Sequence, residues 1–120
     1  METPDYSKTK LNICGKGLTE LPADIHLYTH LEELFCDDNK LIDCDNLPQS
    51  LKELVCHNNK LTQLDNLPPN LEKLYCWYNQ ITKLNNLPQS LKVLSCDKNP
   101  LQYNFEPTLE NIRSYITSIE

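Results

Sequence analysis

The chain has 120 residues, 39% of them apolar, with six cysteines, two glycines and a formal net charge of −6 from 11 Lys and Arg against 17 Asp and Glu. That length suits a single domain, 1–120, and the acidic balance repels phosphate, so neither nucleic acid nor an anionic membrane is an expected partner. No apolar run is long enough to span a bilayer and Met1–Lys10 lacks the apolar stretch of a secretory signal, which predicts a cytoplasmic, intracellular address.

Residues 1–30 hold an irregular first coil and cap. Leu11, Ile13, Leu18 and Leu21 occupy positions that recur later in the chain, but Lys16, flanked by Gly15 and Gly17, stands where later units have Asn. The stretch after Leu21 is three residues longer than its later counterparts. A deviant first unit is expected because one of its sides has no neighbour. Met1–Thr9 is expected to cap this coil or to be disordered.

Residues 31–101 repeat every twenty positions without insertion. Leu31, Leu51, Leu71 and Leu91 are in register, as are Leu34, Leu54, Leu74 and Leu94. So are Cys36, Cys56, Cys76 and Cys96, then Asn39, Asn59, Asn79 and Asn99, then Leu41, Leu61, Ile81 and Leu101. Leu47, Leu67 and Leu87 are each followed by Pro. The alternation Leu34-x-Cys36 has period two and suits a short strand. The proline half cannot sit inside a strand or helix, so it must return in extended form. A strand and a return make one coil, and stacked coils share a core that one coil alone cannot bury. The Asn column can satisfy backbone groups left unpaired inside the turn, because an amide both donates and accepts.

Residues 102–120 change period. Leu109, Ile112, Ile116 and Ile119 form a helical stripe, and Pro107–Ser118 is predicted as a helix laid over the last coil, with Pro107 at the first helical position and Glu110 in the first turn. Its polar face lacks the Lys and Arg of a membrane-binding helix.

These units resemble leucine-rich repeats. The short period and the Leu-Pro run are similar to the repeats of bacterial type III effectors of the YopM and IpaH kind. Cys at the third apolar strand position is similar to repeats of giant DNA viruses of amoebae and of some bacteria. The resemblance covers Leu11 to Leu101. It implies an α/β-type repeat solenoid: a horseshoe fragment with a concave parallel β-sheet, extended convex returns and a C-terminal capping helix. It also admits the cytoplasm of a host cell as the final address. Effectors of this kind can carry a ubiquitin-ligase domain after the repeats, and the residues beyond Leu101 are too few for one.

No catalytic constellation emerges. The Cys column and Cys44, which stands where Leu64 and Leu84 stand, read as core positions. A line of thiols at strand spacing of about 4.8 Å does not converge on a zinc ion. Parallel neighbours also disfavour disulfides, and free thiols point to a reducing compartment. Cys14 falls one place beyond the core position, two strands from His57, beyond the reach of a Cys–His pair. Asp37, Asp38, His57 and Asp97 lie on different coils without a ligand motif. No catalytic residue, cofactor or metal is therefore expected.

The expected function is non-catalytic binding of a protein or peptide on the concave face. Glu33, Glu53, Lys73 and Val93 form one column there, and Phe35, Val55, Tyr75 and Ser95 the next. Asp37, His57, Trp77 and Asp97 follow, then Asp38, Asn58, Tyr78 and Lys98. The candidate contact residues are Phe35, Val55, His57, Tyr75, Trp77 and Tyr78, an apolar and aromatic patch, with Glu33, Glu53, Asp37 and Asp97 around it. The acidic surround favours a partner with a basic rim. Cross-strand packing among the same aromatics would stabilise the sheet with or without a partner. The chain is expected to be a monomer. Two alternatives are a scaffold that assembles through its ends and an effector-like protein that modulates a host enzyme by binding it.

Overall fold

The computed structural model describes residues 3–120. Met1 and Glu2, part of the expected N-terminal cap, lie outside the described residues. Five three-residue strands, β1 Lys10–Asn12, β2 Glu33–Phe35, β3 Glu53–Val55, β4 Lys73–Tyr75 and β5 Val93–Ser95, pair in parallel in chain order. The register runs Lys10, Glu33, Glu53, Lys73, Val93 and, two residues on, Asn12, Phe35, Val55, Tyr75, Ser95. The twenty-residue period is therefore the length of one coil. The stack is elongated, 50 × 26 × 18 Å.

The strands are short because each coil must turn as soon as its two inward side chains are placed. Leu34, Leu54 and Leu74 are fully buried, and so are Cys36, Cys56 and Cys76. Leu31, Leu51 and Leu71 close the near side of the core, and Leu41, Leu61 and Ile81 the far side. The returns of the regular coils, 42–50, 62–70 and 82–90, carry neither helix nor strand. They are joined across coils by backbone bonds such as Lys60 N–H to Leu41 C=O at 2.9 Å and Gln80 N–H to Leu61 C=O at 2.8 Å. On the outside, Asn66 donates to Asp45 and Asn86 to Asp65.

The asparagine column does what the sequence predicts. Asn59 and Asn79 each accept from the Leu N–H of the preceding coil, Leu41 and Leu61, at 3.0 Å. Each also donates to the Cys carbonyl of its own coil and to that of the coil before. In the first coil, where Lys16 replaces Asn, Asn39 supplies the acceptor for both Lys16 N–H and Leu18 N–H. The three extra residues after Leu21 are taken up by a 3-10 helix, Ile25–Leu27, which buries Ile25 in the core.

The helix α1 runs Leu109–Ile119, starting two residues later than predicted. Pro107 is not its first residue: Thr108 is the N-cap, and its side chain accepts from Asn111 N–H at 3.1 Å. Ile112 is buried, and Leu109 and Ile116 pack on the core, while Ile119, expected on the same stripe, stays 58% exposed. Arg113 fastens the helix to the last coil through the carbonyls of Pro88, Gln89 and Leu91. Tyr103, Phe105 and Tyr115 form an aromatic cluster beside it that the sequence pattern did not announce.

Candidate functional site

The face of the sheet opposite the Leu and Cys side chains is covered by no other element among the described residues. Period two places the first three predicted columns there, with the register stated above, and the fourth, Asp38, Asn58, Tyr78 and Lys98, follows at the turn that ends each strand. The candidate residues differ in how far they reach solvent. Glu33, Phe35, Asp37, Glu53, Val55, His57, Tyr75 and Trp77 are half-buried, whereas Tyr78 and Asp97 are exposed. The apolar patch is thus largely packed on itself, with Tyr78 standing clear at 59% exposure. Glu33 is held at its outer edge by Lys10 at 3.2 Å.

Three neighbours in one column are in direct contact. His57 Nε2 lies 3.6 Å from Asp37 Oδ2, and the His57 ring stacks on Trp77 with centroids 4.0 Å apart and planes at 6°. Tyr75 stands against Trp77 edge-on, at 6.1 Å and 89°. The stacking of coils brings these groups together although twenty residues separate them in sequence. The offset that made Asp37 and His57 look incidental is the very offset that makes them adjacent.

The donor atoms of Asp37, Asp38 and His57 lie within 4.8 Å of one another. That spread is wider than the roughly 3.4 Å between neighbouring ligands implied by zinc bonds of about 2 Å in a tetrahedron. Asp38 is already engaged by Asn58 Nδ2 at 2.6 Å. His57 Nδ1 is buried without a partner, whereas a metal-bound imidazole needs an acceptor for the proton on its other nitrogen. The group therefore reads as a close His57–Asp37 contact beside an Asn58–Asp38 hydrogen bond better than as a coordination centre.

The outermost column has a backbone feature that sequence reasoning missed. Gly15, Asp38, Asn58, Tyr78 and Lys98 all have φ between 56° and 65°. The left-handed turn aims Asp38, Asn58 and Tyr78 N–H at the carbonyls of His57, Trp77 and Asp97 in the next coil, at 3.0 to 3.1 Å. Glycine, Asp and Asn adopt this conformation readily; Tyr and Lys do so at a cost. The signal was legible in Gly15 and Asn58, which share the column.

The thiols are placed for packing. All six are free, and five are buried. Burial pushes Cys76 well above the ordinary thiol range and Cys96 up to about 11, so both hold their protons at neutral pH. Cys14 alone is partly exposed.

Among solved structures the chain is similar to a Shigella effector leucine-rich-repeat domain, with a TM-score of 0.62 and 28% identity over 87% of this chain and 55% of that one. It is also similar to YopM from Yersinia enterocolitica, with a TM-score of 0.57 and 31% identity over 81% of this chain and 26% of that one. The chain thus spans about half the length of the first and about a quarter of the second. No protein-family model matches it, and no curated protein matches it. No helix among the described residues is long and apolar enough to cross a membrane. With coils stacked in register and two such neighbours, the chain is a leucine-rich-repeat solenoid resembling the repeat domains of the Shigella effector and of YopM.

Proposed function

We propose that the chain is a non-catalytic interaction module that holds a protein or peptide partner on the open face of its sheet, through Tyr78, Trp77 and Tyr75 with the acidic residues around them. The observation that carries this reading is Tyr78. It is a large aromatic kept 59% exposed on a left-handed backbone at φ 58°. The fold needs no tyrosine there, since Asp38 and Asn58 fill the same position in neighbouring coils. A strained, exposed aromatic beside a packed aromatic floor is what an interface anchor requires, and Tyr and Trp are the residues that dominate interface energies. The rigid sheet loses little conformational entropy on binding. The similarity to a Shigella effector domain supports a partner from a host cell. The non-catalytic part of this reading is supported by the buried Cys76 and Cys96, which hold their protons at neutral pH, and by the lack, among the described residues, of a thiol or hydroxyl hydrogen-bonded to a histidine.

The test is a paired capture from cell extract with wild type, Tyr78→Asn and Lys98→Asn as baits. Tyr78→Asn relieves the backbone strain, so lost binding cannot be blamed on unfolding. A protein retained by wild type and Lys98→Asn and lost by Tyr78→Asn supports the assignment. Equal recovery on all three baits, or none on any, overturns it.

A further inference from the structure

The column Asp37, His57, Trp77, Asp97 places a stacked ring on one face of Trp77 and a short carboxylate on the coil beyond the other. On the β3 side of Trp77, the flat nitrogen-bearing ring of His57 stacks on the indole at 4.0 Å while its Nε2 faces the Asp37 carboxylate at 3.6 Å. Rings stacked on adjacent coils leave the opposite indole face turned toward β5. There the column supplies a second carboxylate, Asp97, one strand spacing away at about 4.8 Å. Nothing flat lies between the two: among the described residues, no ring but His57 stacks on Trp77, and the β5 residue beside Asp97 is the small Ser95. Asp97 is exposed, and among the described residues its carboxylate has no ion-pair partner and receives no hydrogen bond. Lys98 follows it in the chain but is not paired with it. Tyr75 stands perpendicular to the indole, and exposed Tyr78 is its chain neighbour on the other side.

We propose that the β5-side face of Trp77, above the shorter Asp97 side chain, is a recognition slot for an arginine side chain of the bound protein or peptide. This inference rests on the reading of the open face as a binding surface and names the partner's chemistry. A guanidinium is flat, stacks on an indole face and presents paired N–H donors at its edge. Stacked on the outer part of the indole, it can turn its fork down to the Asp97 carboxylate on the next coil. Charge favours it as well: the protein carries −6, and on the face Glu33, Glu53, Asp37, Asp38 and Asp97 outnumber Lys10, Lys73 and Lys98. An ammonium is a hydrated point charge without a stacking plane, so lysine fits the same carboxylate less well.

Trp77 is the chain's only tryptophan, so its indole N–H gives a single, unambiguous resonance. Nitrogen-15-labelled full chain would be titrated with the capped peptide Gly-Arg-Gly, then with Gly-Lys-Gly and with the neutral, planar citrulline analogue. The arginine peptide should give a saturable indole shift, with binding about fivefold weaker or more for lysine and no saturation for citrulline, since both the stack and the charge are needed. Asp97→Asn should weaken the arginine response about tenfold, on the scale of a lost charge-assisted bond, while Asp65→Asn on the return side leaves it unchanged. An equal response to lysine, or an unaltered response in Asp97→Asn, overturns the slot. If the slot fails while capture still depends on Tyr78, the proposed function survives without it; if Tyr78 dependence fails too, both fall.

Discussion

Replacing Asn79 by Ala removes one amide from the ladder that stitches the coils together, and the local bonds allow its cost to be worked out. Asn79 Nδ2 donates to the carbonyls of Cys56 at 3.1 Å and Cys76 at 2.9 Å, and Oδ1 accepts from Leu61 N–H at 3.0 Å. Neither carbonyl is orphaned by the change, because Cys56 C=O also receives Asn59 and Cys76 C=O also receives Asn99. The Leu61 N–H is orphaned, since Asn79 is its acceptor in a buried position. A buried donor left without a partner costs about 1–3 kcal/mol. The side chain is only 7% exposed, so its removal also leaves a small void, worth about 1 kcal/mol. The expected loss is therefore about 2–4 kcal/mol.

Asn79→Asp sharpens the test. It keeps the acceptor for Leu61 but turns the donor into an oxygen facing two carbonyls. It should be worse than alanine at pH 7 and recover as the pH falls and the carboxyl gains a proton to donate. Urea denaturation followed by Trp77 fluorescence reads both variants. An alanine variant within about 1 kcal/mol of wild type, below the cost of one orphaned donor, or an aspartate variant more stable than alanine at pH 7, would refute the ladder argument.

Four further outcomes follow from particular contacts. Tyr78→Asn should stabilise the fold by about 1 kcal/mol through relief of the left-handed backbone, and Lys98→Asn should do likewise; a loss of stability in both, read by thermal denaturation, would show that φ is not the controlling factor. Native protein at pH 8 should react with a thiol reagent at Cys14 alone, the five buried thiols reacting only on unfolding, and mass spectrometry of the labelled peptides would count them. Because Cys76 and Cys96 are raised in the folded state above the ordinary thiol value of 9.0, the unfolded chain loses these protons first. Their contribution to stability is complete below pH 9 and declines as pH rises through about 11, so the melting temperature should fall in that window. Arg113→Ala should cost about 1–2 kcal/mol by releasing α1 from three carbonyls, all bound by the one nitrogen Nη2, and Arg113→Lys, whose single ammonium also carries three N–H donors, should recover part of that loss.

The coil was legible because its determinants are strictly periodic. Leu34 and Cys36 mark the strand, Asn39 the turn and Pro48 the return, and each recurs at the same offset. The ends were less legible, since they are set by contacts made once. Nothing periodic announced that α1 would start after a Thr108 cap and not at Pro107, or that the segment after Leu21 would tighten into a 3-10 helix. At the candidate site the columns were readable from the alternation of strand side chains, but the depth of each residue was not. Phe35, Val55 and Tyr75 share a face with Tyr78 and yet are half-buried, because neighbouring side chains on a flat ladder cover one another. The contact of Asp37 with His57 and of His57 with Trp77 depends on coil stacking, which converts a twenty-residue separation into adjacency.

On the proposed reading the open sheet face, and not the return side, meets the partner. Tyr78 on that face and Ile42 on a return are equally exposed, at 59% each, so a benzophenone side chain placed at either has the same access to solvent. Photocrosslinking in cell extract should give a discrete adduct from position 78 and none from position 42. An adduct from position 42 with none from position 78 would contradict the account.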